Sequence, residues 1–427
     1  MNRDKLNDLI AWKKSKYRKP LILRGARQTG KTWLLKEFGK KHFANVVYVN
    51  FEEQTHLQQL FKNDFDIQRI LTALQIHSNL TISPENTLII FDEIQAVEKG
   101  LTSLKYFQEN APEYYIAAAG SLLGMGLHSK SSFPVGKVDF SDLRPMSFNE
   151  FLVASGEAKL SEAIVAKEWE IISTFHEKLN EYLRYYLYTG GMPEVVRIFI
   201  ETRNLEMVRQ AQRNILNAYE ADFSKHAPVD IVPRLRMVWQ SIPAQLAKEN
   251  KKFIYGLLRE GARAKDFEIA IQWLVDSGLL LKCHRIEKPN LPLVAYQEIS
   301  VFKLFLHDVG LLGAMTGLTA KSLIEGNKVF TEFKGAFTEQ YVMQQLALKE
   351  NRFIGYWTNE RSTYEVDFVV QDGETITPIE VKSGQNLHSK SFRFFYEKYK
   401  PEKAIRLSPL NYKDQNWMVN IPLYIDI

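Results

Sequence analysis

One short segment near the amino terminus constrains the fold of this chain more than any other feature. Residues 25–32 have the sequence Gly-Ala-Arg-Gln-Thr-Gly-Lys-Thr, which fits the spacing G-x-x-x-x-G-K-[ST] at every required position. The segment follows a short apolar run, Leu21–Leu23, and opens an amphipathic stretch, Lys31–Phe43. Glycines let the backbone amides turn inward, and the start of a helix adds partial positive charge there. The order of strand, loop and helix therefore predicts a phosphate-binding loop in a parallel α/β sheet.

The residues of this loop have distinct expected roles. Lys31 should contact the β- and γ-phosphates of a bound nucleotide, and the hydroxyl of Thr32 should bind Mg²⁺. We therefore expect a nucleotide with a γ-phosphate as the ligand and Mg²⁺ as its ion. The predicted nucleotide-binding residues of the loop are Gly25, Ala26, Arg27, Gln28, Thr29, Gly30, Lys31 and Thr32.

Two acidic residues follow a second apolar run. The run Thr87–Phe91 is succeeded by Asp92 and Glu93, and an acid at the carboxyl end of a parallel strand faces the ligand crevice. Asp92 would hold the magnesium ion through water, and Glu93 would act as the general base on the attacking water. By itself such a pair is typical of a solvated strand end. Together with the loop upstream, it predicts a nucleotide hydrolase rather than a kinase.

Two further residues are candidates for contact with the γ-phosphate. Ser121 follows the apolar run Tyr115–Ala119 and could either sense that phosphate or cap the next helix. Arg144, which precedes Pro145, could supply charge to the transition state in cis or in trans, or could serve as a surface or packing residue. Action in trans would require a homo-oligomer.

Composition narrows the class of protein. The chain has 427 residues, of which 45% are hydrophobic and 25% charged, which is the balance of a globular protein with more than one domain. A net charge of +5 is too small to indicate nucleic-acid binding by itself. The single cysteine, Cys283, excludes an internal disulfide framework, and the sequence has no secretory signal and no apolar run long enough to cross a membrane. We expect a cytoplasmic protein without a membrane partner.

The apolar pattern divides the chain into four predicted segments with an overall α/β class. Alternating strands and helices indicate a P-loop domain, a charged helical stretch follows it as a lid, and the third segment resembles a winged helix. In that segment a helix at Ala264–Ser277, capped by Gly278, precedes a strand at Leu279–Arg285. The last segment combines a helix around Thr338–Lys349 with short strands. The predicted boundaries are 1–150, 151–230, 231–300 and 301–427.

The strands of the last segment carry a group of charged residues. Alternation along a strand places Glu365 and Asp367 on one face, and Glu380 and Lys382 on one face of the next strand. If the strands form a hairpin with Gly373 in its turn, these acids and the lysine converge, and oxygen ligands of this kind suit Mg²⁺.

The spacing D…E-x-K resembles the PD-(D/E)xK nuclease signature. By that resemblance Asp367 and Glu380 would bind metal, Lys382 would be catalytic, and Glu339 on the preceding helix would be an extra acid. The sequence departs from the signature at Val366, where a proline is usual. Two alternatives stay open: an exposed strand face with paired charges, and a fold that kept the carboxylates but lost cleavage. His307 and Asp308 form an isolated pair, to which we assign no metal role.

Basic residues in two places could contact nucleic acid. Residues 380–406 hold seven Lys or Arg against three acids, interleaved with aromatic rings that could stack on bases. A helix with an aromatic core face and a solvated basic face would explain the same residues. Near the start of the predicted recognition helix lie Arg259, Arg263 and Lys265, although winged helices also dock proteins.

The order of these motifs resembles prokaryotic AAA-type P-loop ATPases fused to a carboxyl-terminal domain of unknown function. The resemblance implies ATP binding with hydrolysis, a winged-helix element and a restriction-endonuclease-like tail. Two hypotheses follow: an ATP-dependent motor or switch that acts on DNA, and a nucleotide-gated signalling or interaction protein with a catalytically inactive tail. The segments that carry the resemblance are Arg24–Thr32, Leu88–Gln95, 119–123, 133–137, Leu143–Leu152, Tyr188–Val195, Phe302–Leu312 and Glu365–Ser383.

Overall fold

The computed structural model describes most of the chain, which divides into two compact units. The amino-terminal unit comprises Asn2–Arg144 together with Asp276–Gly278, and the carboxyl-terminal unit comprises Pro145–Val275 and Leu279–Ile427. None of the described helices is long and apolar enough to cross a membrane. The described residues are 2–62, 64–120, 136–248, 251–321, 328–359, 363–384 and 389–427, with residues 328–332 described by their backbone alone.

The amino-terminal unit is built on a parallel sheet of five strands in the order β2-β3-β4-β1-β5. Its strands are β1 (Leu21–Arg24), β2 (Asn45–Asn50), β3 (Thr87–Asp92), β4 (Tyr115–Ala119) and β5 (Asp139–Asp142). Its helices are α1 (Lys5–Lys14), α2 (Lys31–His42), α3 (Ile67–Ser78) and α4 (Gly100–Asn110), with 3₁₀ turns at Thr55–Phe61 and Ile94–Ala96.

Alternation along the strands divides the core of this unit into two layers. In β3, Ile89 and Phe91 belong to one buried cluster, and Leu88 and Ile90 belong to another. Because successive side chains of a strand point to opposite faces, both faces of the sheet are covered. The strands predicted from four short apolar runs are confirmed, and these runs are Leu21–Leu23, Val46–Asn50, Leu88–Phe91 and Tyr115–Ala119. Only β5 has no such run, because its sequence Asp-Phe-Ser-Asp is that of a partly exposed edge strand.

The carboxyl-terminal unit begins with helices and ends in a mixed sheet of eight strands. The sheet order is β12-β13-β11-β10-β9-β8-β6-β7. The helices are α5 (Phe148–Ala154), α6 (Ala158–Ala166), α7 (Trp169–Thr174), α8 (His176–Thr189), α9 (Pro193–Thr202), α10 (Leu205–His226), α11 (Val232–Leu246), α12 (Ala264–Asp276), α13 (Val309–Met315), α14 (Lys328–Leu346) and α15 (Lys390–Tyr399). The strands are β6 (Leu280–Ile286), β7 (Gln297–Leu306), β8 (Phe353–Thr358), β9 (Glu365–Asp372), β10 (Thr375–Val381), β11 (Ile405–Ser408), β12 (Lys413–Gln415) and β13 (Met418–Pro422).

The strand predicted at Leu279–Arg285 as part of a winged helix is β6, which forms an antiparallel ribbon with β7. Strand β6 also pairs in parallel with β8. The ribbon therefore lies in the same sheet as the strands of the last predicted segment. The winged-helix assignment and the four domain boundaries stay predictions.

The predicted hairpin between the acidic strands is present. Strands β9 and β10 pair antiparallel, with Asp372 opposite Thr375, and Gly373 in the turn has a φ of +60°. Strand β10 pairs in parallel with β11. The residues predicted to converge thus lie on adjacent strands.

Two glycines mark a tightly packed junction in the carboxyl-terminal unit. An ideal Cβ on Gly190 would lie 2.1 Å from Asp308 Oδ1, and the Gly191 amide donates to Asp308 Oδ2 at 2.7 Å. The other oxygen of Asp308 accepts from the Leu311 amide at 3.0 Å and so caps α13. Burial raises the pKa of Asp308 to about 6. The backbone and side-chain donors of this junction therefore give Asp308 a structural role.

Candidate functional site

The loop between β1 and α2 has a backbone that only glycine accommodates at two positions. Gly25 has a φ of +146° and Gly30 one of +92°, both in the region that L-amino acids rarely adopt. An ideal Cβ on Gly25 would lie 2.1 Å from the carbonyl oxygen of Leu143. Within the loop, the buried hydroxyl of Thr29 donates to the Ala26 carbonyl at 2.9 Å. The loop is therefore held in one shape by its own contacts and by the backbone beside it.

The ammonium group of Lys31 lies against the same loop. Its Nζ donates to the carbonyl oxygens of Gly25 and Ala26 at 2.9 and 2.8 Å. Burial lowers the pKa of Lys31 to about 8, and the negative charges of Glu93 and Asp92 partly oppose that effect. Because its hydrogen-bond partners are neutral carbonyls, the charge of Lys31 stays available to phosphate oxygens.

Asp92, at the end of β3, joins two elements of the sheet to the loop. Its Oδ2 accepts hydrogen bonds from the hydroxyl of Thr32 at 2.7 Å and from that of Tyr48, on β2, at 2.9 Å. Its Oδ1 accepts from the Glu93 amide at 3.1 Å. The pKa of Tyr48 is raised by burial and by the charge of Asp92. The hydroxyl and carboxylate oxygens of Thr32 and Asp92 are hard donors side by side, and they fit Mg²⁺.

Glu93 turns sharply out of β3. Its φ of +50° is unusual for a residue with a side chain, and its carboxylate accepts a short hydrogen bond from the side-chain amide of Gln95. This backbone places Glu93 next to Asp92 but outside the strand. The carboxylate is thus oriented by a neighbour two residues further along the chain.

A buried arginine that the sequence analysis missed joins the loop to the end of the unit. Arg3 donates from Nη1 to the Thr29 carbonyl at 2.9 Å and from Nη2 to the Arg144 carbonyl at 2.6 Å. Beside the loop, Arg24 and Asp142 form an ion pair at 2.8 Å. The backbone at Arg144 therefore lies close to the loop. Ser121 lies outside the described residues.

The carboxyl-terminal unit brings together the acids that the nuclease resemblance predicted. Glu380, on β10, forms an ion pair with Lys382 at 2.6 Å. Asp367, on β9, accepts from the Val381 amide at 2.7 Å. Glu339, on α14, is buried in the same charged group. We call the set Glu339, Glu365, Asp367 and Glu380 the acidic cluster.

Two lysines that the sequence analysis missed lie inside this cluster. Lys251 Nζ is 2.6 Å from Glu339 Oε1. Lys303, on β7, has no exposed side-chain surface, and its Nζ lies 2.5 Å from Glu365 Oε1 and 3.8 Å from Glu339 Oε2. The acidic cluster therefore contains three ammonium groups, including that of Lys382.

The charges of the cluster stabilise one another. Burial opposes the charged form of Lys303, but Glu365 and Glu339 raise its pKa above the ordinary value. Burial acts to raise the pKa of Glu339, yet Lys251 and Lys303 lower it. Burial raises the pKa of Asp367 well above its ordinary value, and repulsion from Glu339 and Glu380 adds to the effect. Lys303 is thus held charged, while Asp367 is driven towards its neutral form.

This arrangement fits a divalent ion poorly. Among the residues that the structure describes, no group of three or more His, Cys, Asp or Glu side chains is placed to hold a metal ion. One oxygen of Glu339, Oε2, is buried without a hydrogen-bond partner, and the cation facing it is Lys303. The carboxylates of the cluster have lysine or amide partners where the resemblance would require a metal.

The aromatic rings of α15 are largely occupied by packing. Phe392 and Phe395 are fully buried in a core that also contains Trp357, whereas Arg393 and Lys398 are exposed. The burial favours the alternative in which this helix has an aromatic core face and a solvated basic face.

Comparison with known protein families identifies the amino-terminal part. Residues 17–152 match the family model described as an AAA domain. This match supports an AAA-type ATPase. The remainder of the chain matches two families described only as domains of unknown function, DUF8612 at residues 180–322 and DUF4143 at residues 334–424. No curated protein matches the chain.

Several solved structures resemble the chain at low identity. The Walker-type ATPase PABY2304 of Pyrococcus abyssi is 13% identical over 74% of this chain and 95% of its own, with a TM-score of 0.46. The Aeropyrum pernix ORC1 protein, solved in complex with DNA, is 12% identical over 74% of this chain and 93% of its own, with a TM-score of 0.28. PCH-2 of C. elegans is 14% identical over 38% of this chain and 46% of its own, with a TM-score of 0.24. The assignment of an AAA domain therefore rests on the family model.

In the amino-terminal unit, the structure brings together the loop residues, Asp92 and Glu93. Arg27 is close enough to Lys31 for its charge to act on it, and Arg144 approaches the loop through its carbonyl. Tyr48 could not be found from the sequence, because its strand was predicted but the neighbour of that strand was not. Arg3 precedes any recognisable motif, and nothing in the sequence pattern indicated it.

Proposed function

We propose that the amino-terminal unit binds ATP with Mg²⁺ and hydrolyses it. The observation that carries this proposal is the 2.7 Å contact between Thr32 Oγ1 and Asp92 Oδ2, which joins the phosphate-binding loop to the acidic end of β3. Thr32 and Asp92 would hold Mg²⁺, which when bound supplies positive charge to the phosphate oxygens.

The side chains around this contact have separate roles in the proposal. Lys31 would exchange its two carbonyl partners for oxygens of the β- and γ-phosphates and neutralise their charge. Glu93 would accept a proton from the attacking water, with Gln95 orienting its carboxylate. Arg144 and Ser121 remain candidates for contact with the γ-phosphate.

Two substitutions test binding and chemistry separately. Lys31→Ala should abolish tight binding of Mg-ATP in calorimetry, because it removes the cation that the loop presents. Glu93→Gln should retain ATP, while turnover falls by about two orders of magnitude or more, the scale for loss of a general base.

The matched control for the binding test is Lys41→Ala at the exposed end of α2, where the lysine pairs with Glu37. This variant should bind ATP like the wild type. Unchanged affinity in Lys31→Ala would refute the binding site. Near-normal turnover in Glu93→Gln, with a dead Asp92→Asn variant, would remove Glu93 from the role of base.

We further propose that the carboxyl-terminal unit acts on DNA. The exposure of Arg259, Arg263 and Lys265 near the start of α12 supports this proposal, because exposed cations in that position can contact phosphates. DNA should then stimulate ATP turnover and show a mobility shift that weakens with salt. Glutamate at all three positions should remove both effects. The matched control makes the same change to glutamate at three exposed lysines of the helical segment, Lys159, Lys167 and Lys178.

One observation favours the alternative, a nucleotide-gated interaction protein with an inactive tail. Ile269 of α12 and Ile299 of β7 are 68% and 75% exposed, and apolar side chains at such positions favour a protein partner. Under this alternative DNA changes neither turnover nor mobility, and the triple glutamate variant behaves like its control.

A further inference from the structure

The acidic cluster of the carboxyl-terminal unit has a buried cation of its own. Lys303 is fully buried, and its Nζ lies 2.5 Å from Glu365 Oε1 and 3.8 Å from Glu339 Oε2. The same Nζ is 4.7 Å from the centroid of the Tyr356 ring, on β8. Two carboxylates and an aromatic face thus surround one ammonium group.

We propose that the ammonium group of Lys303 is a resident cation of the acidic cluster, beside the carboxyls for which the sequence predicts a divalent metal. The carboxyl-terminal unit is then a metal-independent domain that does not cleave phosphodiesters. This inference goes beyond the proposed ATPase and does not depend on it.

The first argument is geometric. A Mg²⁺ or Mn²⁺ ion bound by these carboxylates would lie about 2.0–2.2 Å from their oxygens. Lys303 Nζ is already 2.5 Å from Glu365 Oε1, so an ion on that oxygen would meet the ammonium group at close range. In a buried site the repulsion between those charges would be weakly screened.

The second argument is the balance of charge. Lys382 and Lys251 pair with Glu380 and Glu339 at 2.6 Å each, and Asp367 accepts a backbone amide at 2.7 Å. Three ammonium groups face the four carboxyls of the cluster. The excess negative charge that attracts a divalent ion to such a site is therefore largely cancelled.

The third argument is the cost of burying Lys303. An isolated ammonium group in a protein interior is strongly unfavourable, and it persists only when paired carboxylates compensate it. Removing the lysine would leave Glu365 without its ion pair and buried Glu339 with Lys251 alone. Without Lys303 the cluster holds four carboxyls against two ammonium groups, and it should then become a divalent-cation site.

The experiment measures Mn²⁺ binding to the full chain, by calorimetry and by the shift of the melting midpoint. Asp92→Asn is present in every arm, so that the predicted ion site of the amino-terminal unit does not contribute. The test variant is Lys303→Met. The matched control is Lys282→Met on the adjacent strand β6. Lys282 lies over the Phe302 ring, and the next residue in the chain, Cys283, pairs with Lys303 in the sheet.

We expect no Mn²⁺ binding to the cluster in the parent or in the control, with midpoint shifts under about 1 °C. Lys303→Met should melt earlier without Mn²⁺ and gain about 3 °C or more at saturating Mn²⁺. A folded Lys303→Met variant that gains nothing would overturn the proposal. So would Mn²⁺ binding in the parent that is lost on Asp367→Asn with Glu380→Gln.

Two further arms keep the test decisive. If Lys303→Met does not fold, the parent measurement decides, together with Lys303→Arg, which keeps the cation and should show no Mn²⁺ shift. Nicking of duplex or single-stranded DNA by the parent with Mn²⁺ also overturns the proposal if Lys382→Ala abolishes it. ATP turnover, measured in the chain with Asp92 intact, reports separately on the proposed ATPase.

Discussion

The two groups of acidic residues in this chain differ in the partners of their carboxylates. In the amino-terminal unit, Asp92 accepts hydrogen bonds from the hydroxyls of Thr32 and Tyr48 and from a backbone amide. In the carboxyl-terminal unit, Glu365 and Glu380 pair with the ammonium groups of Lys303 and Lys382.

The difference determines what each group can bind. Hydroxyls and amides orient a carboxylate without cancelling its charge, so Asp92 remains an effective partner for a cation. Ammonium groups orient a carboxylate and also neutralise it. Sequence motifs record the acids in both places, but they do not record which partner each acid has.

The largest expected effect contrasts the two buried lysines. Lys303→Met should lower the free energy of unfolding by about 3–5 kcal/mol, because it breaks the ion pair with Glu365 and removes the cation that faces Glu339 Oε2. Lys31→Met should change it by less than about 1 kcal/mol, since the partners of Lys31 are neutral carbonyls and burial already disfavours its charge. Hydrogen exchange of β9 for the first variant, and of α2 for the second, measures the local free energy in each unit.

Equal losses of hydrogen-exchange protection in Lys303→Met and Lys31→Met would contradict this prediction. The pairing of Lys303 would in that case add nothing to stability beyond what any buried lysine contributes. Lys282→Met provides the baseline for removal of a partly buried lysine from the same sheet.

A third carboxylate sharpens the comparison through its pH dependence. The described hydrogen-bond donors to Asp308 are neutral amides. Burial raises its pKa to about 6, above about 3.9 in an unfolded chain. Between these values the folded state binds more protons than the unfolded state. The contribution of Asp308 to the free energy of unfolding is therefore complete below about pH 4. As the pH rises through 6, about 2–3 kcal/mol of it is lost.

Asp308→Asn removes this titration. The variant loses one acceptor oxygen, which lowers its free energy of unfolding by the same amount at every pH. The diagnostic quantity is therefore the change of the free energy of unfolding with pH, and not its absolute value. Denaturant titrations from pH 4 to pH 7 should show the variant gaining about 2–3 kcal/mol relative to the wild type. Parallel curves for the two proteins would show that Asp308 does not titrate in this range.

The smallest expected effect concerns Tyr48. Tyr48→Phe removes one donor to Asp92 Oδ2 and keeps the ring, which Lys36 Nζ approaches at 3.4 Å. We expect the Mg²⁺ concentration for half-maximal ATP turnover to rise about fivefold, which corresponds to ~1 kcal/mol. Tyr114→Phe, at the edge of a core cluster in the same unit, should leave that concentration unchanged. A lower maximal rate at unaltered Mg²⁺ dependence would contradict a role through Asp92.

Much of the fold and most of the site residues could be predicted from local sequence patterns. The loop at residues 25–32, strands β1 to β4 and the hairpin of β9 and β10 were predicted because their signals come from neighbouring residues: glycine spacing, apolar runs and alternation. The acids of both groups were found for the same reason, except Glu339, which the resemblance to the nuclease signature added. A sequence motif identifies only the residues that belong to it, and these lie close together in the chain.

Only the tertiary structure decided which residues complete the two groups. Tyr48 reaches Asp92 because β2 lies beside β3 in the sheet, and Arg3 reaches the loop across 26 residues of chain. Lys303 reaches Glu365 across 62 residues, from a strand whose apolar neighbours gave no sign of a charged centre. Burial and strand order are properties of the assembled chain, and they determine whether an acid meets a hydroxyl that leaves its charge free or an ammonium group that cancels it.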